Sequence, residues 1–184
     1  MYEYKHYTSC NKNTYWCKIH FVLNALKTNK YDYVVWLDSD TVIKKFNIDI
    51  GDIFNMFKSD IFVGSDNHTK YNMINAGVFA ISNSKTGINF LTECINYIDT
   101  DCFNTNGTLR GKWAGTCYEQ GVMNTLIHDK YYPNTTVLTN KVIFNYATCS
   151  DDVFIMHLYA SSPKSRKKCF ESHVNNTNNT IYID

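Results

Sequence analysis

The stretch Tyr31-Asp32-Tyr33-Val34-Val35-Trp36-Leu37-Asp38-Ser39-Asp40-Thr41-Val42-Ile43 constrains this chain more than any other. Tyr33 to Leu37 carry no charge, and β-branched and aromatic types dominate. That is the pattern of a strand buried on both faces, the central kind in a mostly parallel sheet. Two carboxylates follow, one residue apart, where such a strand leaves the core. Open α/β sheets bind ligands at the carboxyl ends of their strands, so Asp38 and Asp40 stand where chemistry is expected. Carboxylates this close repel unless a proton or a cation intervenes, and two hard oxygen ligands suit Mg2+ or Mn2+. An ordinary Asp-Ser-Asp turn accounts for the same residues, so the rest of the chain has to decide.

At 184 residues the chain reads as one domain with enough length for a proper core. A net charge of +1 gives no strong field toward nucleic acid or anionic membranes. No apolar run reaches the roughly 18 residues of a membrane span, so no transmembrane segment is expected. Met1-Tyr2-Glu3-Tyr4-Lys5-His6 lacks the apolar core of a signal peptide. The seven cysteines, from Cys10 to Cys169, contain no Cys-x-x-Cys pair, which argues against a cysteine zinc site. Reduced thiols in a soluble, cytoplasmic protein are the expectation. The Asn and Lys bias and the compact form fit a viral or parasitic origin.

Along the chain, a helix is expected from Thr14, with Thr14 as its N-cap and Ile19, Val22, Leu23 and Leu26 on its buried face. Lys18 lies near its start, where a basic side chain reaches an anion or stays solvated. A short strand is expected at Thr41 to Ile43, a helix over Ile50 to Phe57 and a strand at Ile61 to Gly64. The polar loop Ser65-Asp66-Asn67-His68 comes next. Asn75 to Ser82 reads as a second strand, in which Ala76 and Gly77 let a substrate approach the backbone. A helix follows over Lys85 to Ile98, then a long loop to residue 117 with the length of a lid or binding surface. Glu119 and Gln120 open another helix, and short strands are expected at Thr136 to Leu138, Val142 to Asn145 and Phe154 to His157. After His157 the tail turns basic and polar. A short strand around Tyr2 to Tyr7 is the remaining candidate element.

Four motifs line up in order: an apolar strand into Asp38-Ser39-Asp40, Asn75-Ala76-Gly77-Val78-Phe79, Glu119-Gln120-Gly121-Val122-Met123-Asn124, and a strand ending in His157. Together they resemble the nucleotide-sugar-dependent glycosyltransferases of the GT-A fold, above all the glycogenin-like and the α-galactosyl and α-xylosyltransferase families. The resemblance spans roughly residues 14 to 160. It implies an α/β fold of the GT-A type, a three-layer α/β/α sandwich with a mixed, mostly parallel central sheet. It implies a nucleotide-sugar donor, UDP-linked in the similar families, and a hydroxyl acceptor such as a glycan.

Carried over to this sequence, Asp38 and Asp40 match the pair that holds Mn2+ (or Mg2+) on the donor diphosphate, and His157 matches the third protein ligand. Ser39, Asn75, Ala76 and Gly77 fall among donor-binding positions, and Lys18 resembles the basic residue that reaches the donor. Asp66 falls where an acidic residue meets the donor sugar. Glu119 and Gln120 match the Asp-Gln pair beside the anomeric carbon, with Glu in place of Asp. The later pattern His-x-x-Gly with a following Lys is altered here to Ala160 and, one place late, Lys164, the candidate phosphate contact. The similar families retain anomeric configuration, which gives Gln120 the oxocarbenium-like centre to stabilise; an inverting reaction needs a carboxylate base, with Asp66 and Glu119 as candidates.

Only some 13 residues precede the first helix, fewer than the base-binding opening of this fold needs. The fold is trimmed, the chain starts inside a longer protein, or Tyr2 to Tyr7 fills the role. Trp113 is either a sugar-stacking platform for the acceptor or plain core packing. Two other classes remain as alternatives: a haloacid-dehalogenase-like phosphatase using Asp38 as nucleophile, and a non-catalytic sugar-nucleotide binding module. In a phosphatase, however, the Asn-Ala-Gly and Glu-Gln-Gly motifs go unexplained.

Overall fold

A computed structural model describes residues 13–66, 74–97, 100–138, 146–159 and 161–176. The expected strands at Tyr2–Tyr7 and Val142–Asn145, together with His68 and Ala160, lie outside the described residues. The elements run α1 (Thr14–Leu26), β1 (Tyr33–Leu37), β2 (Thr41–Ile43), α2 (Ile50–Phe57), β3 (Ile61–Ser65), β4 (Ile74–Ser82), α3 (Lys85–Tyr97), α4 (Glu119–Leu126), β5 (Thr135–Leu138), β6 (Ile155–His157) and α5 (Pro163–Asn176). The α/β class expected from the sequence is the one found. Two compact units are formed, Met1–Val35 with Ile81–Thr135, and Trp36–Ala80 with Thr136–Asp184.

In the first unit α1, α3 and α4 pack together. Trp16, Ile19, Val22, Leu23 and Leu26 of α1 are buried, as are Phe90 and Leu91 of α3 and Met123 of α4. Asn13, not Thr14, caps α1: its side-chain oxygen accepts the Tyr15 N–H, satisfying a donor that the helix itself leaves open. The long loop after α3 is closed by a disulfide between Cys102 and Cys117.

The strands form a sheet in the order β1-β4-β3-β5 and a two-stranded ribbon of β2 with β6. Every residue of β4 is buried, as its central place requires, whereas β1 is half-buried throughout. The expectation that Tyr33 to Leu37 would be the doubly buried central strand is therefore corrected: β4 takes that place, and β1 stands at the end of the order among the described residues. An apolar run reports affinity for a sheet, not rank within it.

In the second unit β2 pairs antiparallel with β6, Thr41 opposite His157 and Ile43 opposite Ile155. Val153, Met156, Leu158 and Cys169 form a buried cluster that docks α5 against β6. Helix α5 contradicts the reading of a merely basic, polar tail. Pro163 opens it, where a missing N–H costs nothing, and the Ser162 hydroxyl accepts the Ser165 N–H. A second disulfide, Cys149–Cys169, ties this helix to the segment before β6. Cys17 is disulfide-bonded as well, and Cys94 is a buried free thiol. The expected set of reduced thiols is thus corrected, and the argument from thiols to a reducing compartment falls with it. No helix among the described residues is long and apolar enough to cross a membrane.

Candidate active site

The end of β1 turns sharply into β2, and this turn aims the two carboxylates. Both the backbone N–H and the hydroxyl of Thr41 donate to the Asp38 carbonyl, at 3.0 and 2.7 Å. The Asp38 N–H donates to the Gly77 carbonyl at 2.8 Å, holding the turn to β4. The Asp38 carboxylate accepts the Trp36 indole N–H at 2.6 Å, from a side chain two residues back on the same face of the strand. Asp40 is placed by the ribbon: its carbonyl accepts the Leu158 N–H at 2.9 Å, which brings the end of β6 beside it.

His157 closes the group. Asp38, Asp40 and His157 each present one ligand atom, and these atoms lie within 4.8 Å of one another. His157 Nε2 is 3.0 Å from Asp40 Oδ1, and Arg166 on α5 reaches Asp40 Oδ2 at 3.0 Å. Burial works to raise the Asp40 carboxyl, but the His157 hydrogen bond and the charges of His157 and Arg166 outweigh it and hold the group below the usual carboxylate range. Two carboxylates and one imidazole at this spacing suit a divalent cation such as Mn2+, which accepts oxygen and nitrogen ligands alike.

Gly77 is what lets His157 stand there. A Cβ on Gly77 would overlap the His157 ring. The sequence reading assigned the small residues at 76 and 77 to close approach by a substrate; in the structure the imidazole itself fills the space over Gly77. Asn75 is buried, and its side-chain oxygen accepts the Gly77 N–H at 2.8 Å. Ala76 is buried in β4 beside it, and Ser39 is exposed at the tip of the turn. Asp66 follows β3 and is half-buried, with one carboxylate oxygen, Oδ1, that is buried and accepts no hydrogen bond among the described residues.

Lys164, the expected phosphate contact, is exposed in the first turn of α5. The basic residue at the acidic pair is Arg166, which the sequence reading passed over. Its Nε also donates to the Leu158 carbonyl at 3.0 Å. On α5, Arg166, Cys169 and His173 share one face, with Cys169 and His173 buried, but the segment has too little apolar periodicity for the sequence to mark that face.

In the other unit, Lys18 and Glu119 form an ion pair at 3.3 Å with both side chains nearly inaccessible. Gln120 is buried next to it in the first turn of α4. That turn is pressed against the disulfide loop so closely that a Cβ on Gly121 would overlap the backbone carbonyls of Ala114 and Gly115. The Trp16 indole donates to the Cys117 carbonyl at 3.1 Å, tying the loop to α1. Trp113 is 62% exposed, so the core-packing alternative does not hold. Its ring stands edge-on to Tyr15 and Tyr118, with centroids 5.2–5.3 Å apart around the three, an edge-to-face geometry that aromatic rings favour.

Comparison with known proteins points the same way. A family described as nucleotide-diphospho-sugar transferases matches residues 2–170. The crystal structure of a glycosyltransferase involved in the glycosylation of the major capsid of PBCV-1 is similar, with a TM-score of 0.60 at 13% identity, covering 90% of this chain and 81% of that one. The glycosyltransferase GlyE of Streptococcus pneumoniae TIGR4 is similar with a TM-score of 0.53 at 17% identity, covering 83% of this chain but only 42% of that one. At these identities the likeness is one of fold, and it is the GT-A-like α/β fold that the motifs imply. No curated protein sequence matches the chain significantly.

Proposed function

The chain belongs to the nucleotide-diphospho-sugar transferase family, and on that premise we propose that it moves a hexosyl or pentosyl group from a UDP-sugar to a glycan hydroxyl, with Asp38, Asp40 and His157 holding Mn2+ or Mg2+. The observation that carries this reading is the meeting of those three ligand atoms within 4.8 Å, from the end of β1, the start of β2 and the end of β6. A phosphatase has no use for the imidazole, and a simple turn has no use for the glycine that makes room for it.

In the reaction the bond from the anomeric carbon to the donor phosphate breaks, and its electron pair leaves with the nucleoside diphosphate. The acceptor oxygen bonds to the anomeric carbon and gives up its proton. A divalent cation, when bound, neutralises charge that gathers on the departing diphosphate. Asp38 and Asp40 are assigned to that cation with oxygen, and His157 with nitrogen. Ser39, Asn75, Ala76 and Gly77 are assigned to the donor, Asn75 acting through the backbone of Gly77, and Lys164 to an outer phosphate contact. Asp66 suits a sugar hydroxyl, since its buried oxygen Oδ1 accepts no hydrogen bond among the described residues.

Gln120 is assigned to the oxocarbenium-like centre in a retaining reaction, where the diphosphate takes the acceptor proton. Glu119 is proposed as its support: the salt bridge to Lys18 makes it an ion-paired carboxylate. Lys18 then serves the site through Glu119. Trp113, presenting an exposed indole, is the platform for an acceptor sugar ring. Residues 1–184 are assigned to one glycosyltransferase domain, by itself or as part of a longer chain.

The test is a thermal shift with a panel of nucleotide sugars, each with and without Mn2+. A donor at about a hundred times its dissociation constant stabilises the folded state by ~2.7 kcal/mol. One nucleotide sugar should raise the melting temperature only when Mn2+ is present, and Asp40→Asn should remove that rise. A rise that ignores Mn2+, or that survives intact in Asp40→Asn, rejects the metal assignment.

A further inference from the structure

Asp40 carries two partners of different kinds. His157 faces one carboxylate oxygen as a ligand-bearing ring, while Arg166 brings a permanent positive charge to the other at 3.0 Å. Asp38 accepts the indole N–H of Trp36. A guanidinium both orients a carboxylate and supplies counter-charge that a cation would otherwise bring.

Arg166 is also fixed from several sides. Its Nε is bonded to the Leu158 carbonyl, whose own N–H is bonded to the Asp40 carbonyl, so Asp40, Leu158 and Arg166 form one closed circuit. The helix bearing it is anchored by Cys169 through the disulfide to Cys149. The arginine is therefore a built part of the acidic turn.

Resting on the metal reading above, we propose that Arg166 is a positioning residue that acts as the resident counter-ion of Asp40, weakening capture of a divalent cation alone and making cation binding depend on the diphosphate of the donor. With Arg166 already paired to Asp40, a lone cation meets a carboxylate that is partly neutralised. A diphosphate brings the missing negative charge, and cation and donor then bind as a pair. The enzyme thereby avoids holding a cation tightly without its substrate. Even when screened as fully as in water, a fixed positive charge a few ångströms away repels a divalent cation enough to change its affinity by roughly one power of ten.

The experiment titrates Mn2+ into the whole protein by electron paramagnetic resonance, where bound Mn2+ loses the signal of the free ion, with and without UDP as the diphosphate probe. Arg166→Gln should bind Mn2+ alone about tenfold more tightly than the wild type, equivalent to ~1.4 kcal/mol. UDP should then improve Mn2+ binding less in Arg166→Gln than in the wild type. Arg166→Lys, which keeps the charge, should behave as the wild type does. Melting curves of both variants show that the fold is kept. If Arg166→Gln binds Mn2+ equally or more weakly while Asp40→Asn abolishes binding, the counter-ion role is overturned and the metal site stands. If the wild type binds no Mn2+ with or without UDP, the metal reading fails and this inference with it.

Discussion

Two acid–base pairs, one in each unit, solve the problem of a carboxylate away from water in opposite ways. Lys18 and Glu119 are sealed, with side chains 8% and 3% exposed. Asp40 and Arg166 are open, at 16% and 34%. In a sealed pair, losing one side leaves a buried charge without its counter-ion in a poor solvent. An open pair can exchange its partner for water or for another ion at small cost. The first arrangement suits a fixed scaffold behind Gln120, and the second suits a site that must take up and release charge.

The comparison breaks most visibly at Lys18. Lys18→Met should destabilise the protein by about 3–5 kcal/mol, because Glu119 is left buried without its cation. Denaturant unfolding measures it, and a loss as small as that of an exposed pair would mean that the Lys18–Glu119 pair is not sealed in solution. The open site is expected to tolerate loss of its arginine with far less harm to stability.

Gly77→Ala sharpens the other side. Its Cβ would displace the His157 ring, at a cost of about 1–3 kcal/mol for overpacking, and should remove Mn2+ binding along with it. Mn2+ titration next to a melting curve separates the two effects. Retention of wild-type Mn2+ affinity would show that His157 is not a ligand.

The smallest effect concerns pH. His173 on α5 is buried, and desolvation, followed by the nearby Lys44 charge, pushes its imidazole below the ordinary histidine value. The unfolded chain therefore takes up this proton before the folded one does. The stability it contributes is full above the unfolded value, about 6.5, and is lost as pH falls from there through the depressed folded value. His173→Leu should flatten that part of the stability–pH curve, read from melting temperatures between pH 7 and pH 5. A curve that keeps its full slope in the variant places the titrating group elsewhere.

Much of this site was legible in the chain because its parts are local. An apolar run followed by Asp38-Ser39-Asp40 places two carboxylates at a strand end whatever the rest of the molecule does. The imidazole at the end of β6 was legible from the order of the motifs. Helix α5 was not, because its segment is polar and shows little apolar periodicity: of its described side chains, Cys169 and His173 are buried, and neither type announces a core face. Without the helix Arg166 is not singled out, and the resemblance points instead to Lys164, the nearest match to the lysine that follows the late His in the family pattern. The cysteines misled for a related reason. Cys102 and Cys117, or Cys149 and Cys169, show their pairing only once the intervening loops bring them together.

Sequence by itself determined the α/β class, the acidic turn after β1, the buried strand carrying Asn75, Ala76 and Gly77, and the helix opened by Glu119 and Gln120. These follow from short-range patterns of polarity and backbone preference, which act within a few residues. The tertiary structure decided which base meets which acid: Lys18 with Glu119, Arg166 with Asp40, and His157 over Gly77. Those choices depend on where distant segments are docked by burial and disulfides, and a charged side chain finds its partner only after the apolar groups around it have set the distance.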